Sequence, residues 1–241
     1  MKPGKILITA SRGESEDLSQ AARAAGFEPL FEPMLAIEPV EGGWPDVTAD
    51  APVVFTSSHA VDAFARNKEG RGNPLYMVGQ QTAEAARALG FTDIRAVAPD
   101  VDGLIEILSR LPQKELISAF YARGEDISRD LKQVFEKNGI NIAEFICYKA
   151  RPVENLSLNL LKSLDNREIN AIMVFSSRGG KVFAELIEQY DRAVRLKATK
   201  ALCISEAVLQ SVSVLPFQQG LIARTPDRYG MMDLLTEISV I

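Results

Sequence analysis

The chain has 241 residues, 46% hydrophobic and 24% charged, with a mean hydropathy of 0.00, which excludes a disordered, collagenous or disulfide-built protein. A net charge of −5 and a pI near 5.1 give no general attraction to nucleic acid or to anionic lipid. The two cysteines, Cys147 and Cys203, form no CxxC and point to a reducing, cytoplasmic setting, and Ile6-Leu7-Ile8 is too short an apolar run for a signal peptide.

In chain order, one pattern recurs: a short apolar run rich in β-branched residues ends in Ser, Thr, Gly or Arg, and a helical pattern follows. Ile6-Leu7-Ile8 leads into Thr9-Ala10-Ser11-Arg12 and a helix from about Glu14 to Ala25, closed by Gly26. Val53-Val54-Phe55 leads into Thr56-Ser57-Ser58 and a helix through Ala60, Val61 and Phe64. Tyr76-Met77-Val78 leads into Gly79-Gln80-Gln81-Thr82 and a helix to Gly90. Ala119 to Ala122 leads into Arg123-Gly124-Glu125, with a helix ending near Gly139. Ala171 to Phe175 runs into Ser176-Ser177-Arg178, Leu202-Cys203-Ile204 into Ser205-Glu206, and Leu221-Ile222-Ala223 into Arg224-Thr225-Pro226. Buried strands alternating with helices predict parallel sheets, so the fold class is α/β. The longest charge-free stretch, Ala207 to Ala223, carries Gln, Ser and Pro and predicts no membrane span.

An internal repeat sharpens this reading. Phe55-Thr56-Ser57-Ser58 matches Phe175-Ser176-Ser177-Arg178, and the segment from Pro99 to Leu104 matches that from Pro226 to Met231. Arg123-Gly124-Glu125 in the middle of the chain is matched not near the C-terminus but near the start, by Arg12-Gly13-Glu14, with Gly26 in the place of Gly139. The repeat is circularly permuted. The N-terminal unit therefore completes a discontinuous α/β domain of residues 1–35 and 152–241. Residues 41–146 form an inserted α/β domain, and 36–40 and 147–151 are the connecting strands. Two crossings predict a paired hinge and a cleft.

The chemistry is limited by what the sequence lacks. His59 is the single histidine, so neither a His-rich metal site nor a His-based triad can be built. There is no GxxxxGK[ST] loop and no GxSxG elbow, and Gly70-Arg71-Gly72 precedes a strand where a dinucleotide loop would follow one. A reaction without cofactor or metal, or a binding role, is predicted. In parallel α/β sheets ligands meet the carboxyl ends of strands, where helix N-termini offer free N–H groups. Ser11-Arg12, Thr56-Ser57-Ser58, Gly79 to Thr82 and Ser176-Ser177 all fall there. Each Ser or Thr also reads as a helix N-cap, worth about 1 kcal/mol. Jointly they suggest a site for a polyanion.

These residues resemble the uroporphyrinogen-III synthase family over nearly the whole chain. Ile6-Leu7-Ile8-Thr9 with Arg12-Gly13 is similar to the family's opening, and Val53 to Val61 to its "VVFTSxNAV" segment. Val78-Gly79-Gln80-Gln81-Thr82-Ala83 resembles its "VGxxTA" turn, and Arg123-Gly124-Glu125 and Cys147-Tyr148-Lys149 follow in order and spacing. The resemblance implies two flavodoxin-like domains joined by a two-stranded connection. It also implies a small-molecule substrate, the linear tetrapyrrole hydroxymethylbilane, turned over by a cytoplasmic monomer without cofactor. Transient contact with the preceding enzyme of the pathway is the one protein partner it allows. In the reaction so implied, the terminal hydroxyl leaves as water to give an azafulvene. Ring D is then attacked at its substituted carbon, and a spiro intermediate fragments and recloses with ring D inverted. Unassisted closure gives the symmetrical type I isomer, so the protein must govern geometry.

By the same resemblance, Tyr148 assists loss of the hydroxyl, since a phenol with an ordinary pKa near 10 is protonated at neutral pH. Thr82 matches the Thr of the "VGxxTA" turn and is the second catalytic candidate, with a hydroxyl for a carboxylate. Substrate-binding candidates are Ser11, Arg12, Thr56, Ser57, Ser58, Gly79, Gln80, Gln81, Arg123, Gly124, Ser176, Ser177, Arg178, Ser205 and Arg224. His59 stands where the family more often has Asn, and Arg178 where it has a small residue. Ile204-Ser205-Glu206-Ala207-Val208 departs most, replacing an "IGPxTA" turn and adding a negative charge. That departure keeps open a second reading, a non-catalytic cleft protein binding a tetrapyrrole or another polyanion.

Overall fold

The computed structural model describes residues 4–10, 15–40, 42, 44–67, 70–127 and 130–239. In chain order its strands are β1 (Lys5–Ile8), β2 (Glu28–Phe31), β3 (Leu35–Pro39), β4 (Val53–Phe55), β5 (Leu75–Val78), β6 (Ile94–Ala98), β7 (Phe120–Gly124), β8 (Ala143–Pro152), β9 (Ile169–Val174), β10 (Lys200–Cys203) and β11 (Gln219–Ile222). Its helices are α1 (Ser15–Ala24), α2 (Ser58–Asn67), α3 (Gln80–Ala88), α4 (Val101–Ser109), α5 (Gln113–Ile117), α6 (Leu131–Lys137), α7 (Leu158–Asp165), α8 (Ser177–Gln189), α9 (Glu206–Ser211) and α10 (Arg228–Ser239). None among the described residues is long and apolar enough to cross a membrane.

Two compact units result, Met1–Ala36 with Arg151–Ile241, and Ile37–Ala150. The first holds a five-stranded sheet in the order β11-β10-β9-β1-β2, parallel throughout. Both faces are buried. Ile6 and Ile8 pack with Leu18, Met173, Leu202 and Leu235 on one side. Leu7, Ile172 and Val174 pack with Leu160, Phe183 and Ile187 on the other. This period-two division is what a continuous apolar strand requires when helices cover both faces. Read in chain order within the unit, the strands lie 2-1-3-4-5, the flavodoxin-like arrangement, and the order reverses between β1 and β9.

The inserted unit has a six-stranded sheet in the order β3-β8-β7-β4-β5-β6. From β8 to β6 its strands are parallel. Counted from β7, they too lie 2-1-3-4-5, with the reversal between β7 and β4. The circular permutation seen in the sequence is thus a property of the sheets. Val53 and Phe55 face Phe64, Met77 and Phe91, while Val54 faces Leu104, Tyr121 and Phe135. The repeated glycines do the same work in both units. Gly26 (φ +83°) and Gly139 (φ +72°) take left-handed backbone past the ends of α1 and α6. There Phe27 N–H donates to the Ala22 carbonyl and Ile140 N–H to that of Phe135, both at 2.9 Å.

The chain crosses between the units within β3 and within β8. These strands are neighbours, and bonds from Val40 N–H to the Cys147 carbonyl and from Val153 N–H to that of Met34 make them antiparallel. The connecting strands are therefore sheet members, and residues 37–40 and 147–150 belong to the inserted unit.

Cys147 and Cys203 are fully buried and free of disulfide. Burial pushes both thiols up, from about 9 to about 12. The unfolded chain therefore ionises first as pH rises. Their contribution to stability is complete below about pH 9 and is lost progressively as pH rises toward 12. We expect the urea midpoint to fall with pH above 9, and to fall less steeply in a Cys147→Ala/Cys203→Ala double variant. Parallel declines in the two proteins would remove the thiols as the cause.

Candidate active site

Where strand order reverses in a parallel sheet, the connections on either side leave to opposite faces and a crevice opens at the carboxyl ends. In the inserted unit that point lies between β4 and β7, and it gathers hydroxyl groups. β4 is wholly buried and delivers Thr56 and Ser57 at its end. Thr56 Oγ1 lies 3.1 Å from the Tyr121 hydroxyl. Tyr148, on β8, donates its phenol to Ser57 Oγ at 3.2 Å. The tyrosines occupy different faces: Tyr121 packs with the α4 and α6 side and Tyr148 with the α2 side. Consecutive residues of an extended segment point oppositely, so Thr56 and Ser57 meet one phenol each.

Ser57 is also the N-cap of α2. Its carbonyl accepts from Ala60 and Val61 N–H, and its Oγ accepts from His59 N–H at 3.2 Å. The His59 ring meets that of Tyr148 edge-on, with centroids 5.7 Å apart. On another side the Tyr148 ring lies against Gly124. A Cβ there would be 2.7 Å from Tyr148 Cζ and 2.9 Å from its hydroxyl, so only glycine lets the ring approach. A register shift between Arg123 and Gly124 sets Tyr148 opposite Gly124. Burial pushes both phenols above their ordinary values, with the bonds to Thr56 and Ser57 acting in the opposite sense. Both are therefore protonated at neutral pH.

Arg123 is turned into the fold. Its guanidinium grips Glu144 through two bonds of 2.9 and 3.0 Å and donates to the Gly124 and Glu125 carbonyls at 2.8 and 3.4 Å. These bonds fasten β7 to β8 beside the register shift. Lys149 is paired with Glu125 at 2.9 Å. Gly79 opens α3 with φ +82° and no side chain caps the helix. Gln80 is exposed, Gln81 half-buried, and Thr82 buried at 5% exposure inside the first turn. Ser58 begins α2, half-buried.

The first unit is built from different groups. Ser11 and Arg12 lie outside the described residues. Thr9 donates across the reversal point to the Met173 carbonyl at 2.9 Å. Ser176 caps α8, its Oγ accepting from Gly179 N–H at 3.0 Å, and Ser205 caps α9 through Val208 N–H at 3.4 Å. Ser176 thus serves the helix-capping role weighed for it in the sequence, and Ser205 serves the same role in α9. Ser177 and Arg178 are half-buried in the first turn of α8. Arg224, exposed, pairs with Glu237 at 2.7 Å at the far end of α10. The motif match sets Ala10 where the inserted unit has Tyr121, so the structure brings the hydroxyl cluster together in one unit. Among the described residues no three of His, Cys, Asp and Glu converge to hold a metal ion.

Sequence reasoning passed over Tyr121 and Glu144. Tyr121 sits inside an apolar strand run, where it reads as core, and Glu144 opens β8 with no motif around it. The signal for Tyr121 was its place two residues before Arg123-Gly124, at a strand's carboxyl end.

Comparison with known proteins agrees with this architecture. The family model described as uroporphyrinogen-III synthase HemD matches residues 16–233. Uroporphyrinogen-III synthetase from Helicobacter pylori superposes with a TM-score of 0.65 at 15% identity, covering 98% of this chain and 99% of that one. Two crystal forms of the Thermus thermophilus uroporphyrinogen III synthase, a mutant and the wild type, give TM-scores of 0.49 and 0.43, each at 17% identity and 98% of this chain, with 98% and 97% of theirs. No curated protein matches in sequence. The H. pylori likeness establishes the two-domain fold, and the family match spans most of the chain. The chain therefore belongs to the uroporphyrinogen-III synthase family, lyases of heme biosynthesis.

Proposed function

We propose that the inserted unit carries the chemistry of this synthase, with Tyr148 as the proton source for the first step. The observation behind this is the Tyr148 hydroxyl, held 3.2 Å from Ser57 at the point of strand reversal and kept protonated by burial. Hydroxymethylbilane ends in a hydroxyl that must leave as water, and a neutral phenol beside it lowers that barrier by general acid catalysis. The azafulvene so formed is attacked by the substituted carbon of ring D, and the spiro intermediate recloses with that ring inverted. The acid governs when the electrophile appears. The binding surface governs which carbon meets it.

The substrate's carboxylates suit the start of α3, where no side chain caps the helix and the positive end of its dipole lies. Thr82 supports that first turn from within. Ser58, in the first turn of α2, supplies a further polar contact within the inserted unit. Arg123 contributes indirectly by fixing Tyr148's strand. The protein works as a cytoplasmic monomer, and its soluble substrate is passed on by the preceding enzyme of the pathway.

The test is the isomer formed. With hydroxymethylbilane generated in situ, the purified protein is expected to give predominantly the type III porphyrin after oxidation. Type I alone, with folded protein in excess, would leave a tetrapyrrole-binding protein in its place. Tyr148→Phe should lower turnover roughly ten- to a thousandfold with the melting temperature retained, the loss of one general acid. Turnover equal to wild type would take Tyr148 out of the mechanism. Gly124→Ala forces the Tyr148 ring off the backbone, so we expect a loss of at least about tenfold in turnover with product still of type III. An Ala variant as fast as wild type would show that the ring's seat is immaterial.

A further inference from the structure

The hydrogen bonds around Ser57 have a direction, and it bears on how the proton reaches the substrate. A serine hydroxyl has two acceptor lone pairs and one proton. At Ser57 the two acceptor places are filled: His59 N–H enters at 3.2 Å and the Tyr148 phenol at 3.2 Å. The first donor is a backbone amide that cannot reverse. The Ser57 proton has no acceptor among the described residues, and it is the one hydroxyl proton of the pair not committed to the other. Tyr148, by contrast, has its proton committed to Ser57, its ring seated on Gly124 and its edge against His59.

We infer that Ser57, not Tyr148, is the group that touches the departing hydroxyl, and that Tyr148 protonates it through Ser57. This rests on the reading of Tyr148 as proton source. In the step, the Ser57 proton moves to the substrate's hydroxyl oxygen as the carbon–oxygen bond breaks and its electron pair leaves with water. The phenol proton moves to Ser57 Oγ at the same time. Serine is restored, Tyr148 is left as phenolate beside the cationic azafulvene, and the proton returns when the closed macrocycle loses one on regaining its aromatic pyrroles. Serine alone is too weak an acid for the task. Its alkoxide never forms, because the phenol refills it in the same motion, and the His59 amide steadies the charge that develops on Oγ.

Tyr148 is then a positioning and supply residue, and its effect must vanish when Ser57 is gone. The experiment is a double-mutant cycle of Ser57→Ala and Tyr148→Phe, with kcat and KM measured separately and folding checked by thermal melting. The relay requires each single variant to lose kcat by a similar factor, roughly ten- to a thousandfold, with KM nearly unchanged and the double variant no slower than the singles. Ser57→Thr, which keeps the hydroxyl, should recover most of kcat. A wild-type solvent isotope effect curved in deuterium fraction would report two protons moving together. Ser57→Ala with wild-type kcat, or losses that multiply in the double variant, would overturn the relay and leave Tyr148 donating directly. If Tyr148→Phe alone were silent, the relay would fall with the tyrosine reading, while type III product would still identify the synthase.

Discussion

A parallel sheet whose strand order reverses must leave one gap at its carboxyl edge, because right-handed crossovers on either side of the reversal run to opposite faces. In the inserted unit that constraint acts on β4. Its strand partners are β5 on one side and β7 on the other, and its end is where the crevice begins. Everything polar in the site is arranged around the two residues that emerge there. Thr56 and Ser57 face opposite sides of the sheet and each engages a phenol from beyond the reversal. The Gly124 approach, the register shift in β8 and the Arg123–Glu144 clamp are the means by which Tyr148 is brought to that edge.

The electrostatics of the edge suit a reaction that needs weak acids and fixed geometry. Among the described residues, two cations of β7 and β8 are paired with carboxylates, Arg123 with Glu144 and Lys149 with Glu125. At the end of β4 the described side chains form two pairs of neutral hydroxyls, Thr56 with Tyr121 and Ser57 with Tyr148. Such groups bind carboxylates through directed hydrogen bonds without the strong, sequence-blind attraction of free cations. They also leave the phenols neutral, since burial raises them and no adjacent cation draws them into ionisation as a leading influence. An overall charge of −5 is compatible with a polyanionic substrate on these terms.

The repeat made the fold legible. Phe55-Thr56-Ser57-Ser58 against Phe175-Ser176-Ser177-Arg178 marks the equivalent strands β4 and β9, and Gly26 against Gly139 marks equivalent helix ends. From these the permuted topology follows. The strands that escaped, β2 and β6, each lie at a sheet edge. β2 carries Glu28 and Pro29 and is half-exposed, and β6 is interrupted by Arg95, so neither shows the continuous apolar run of a strand covered on both faces. At the site, residue types at strand ends were readable, but their partners were not. Arg123 looks in sequence like a free cation because Glu144 lies 21 positions away and becomes its neighbour only through strand pairing. Ser57 reads as one cap among several. Its distinction is the phenol delivered from 91 residues away.

A crystal structure with uroporphyrinogen III bound tests directly whether the reacting end of the tetrapyrrole lies at the carboxyl edge of the inserted sheet. The expected result is a macrocycle with one meso carbon facing the Ser57 hydroxyl, Tyr148 behind it, and acidic side chains of the pyrroles on the first turn of α3. A product molecule bound with Ser57 and Tyr148 both out of contact, and its meso carbons facing other residues, would contradict it.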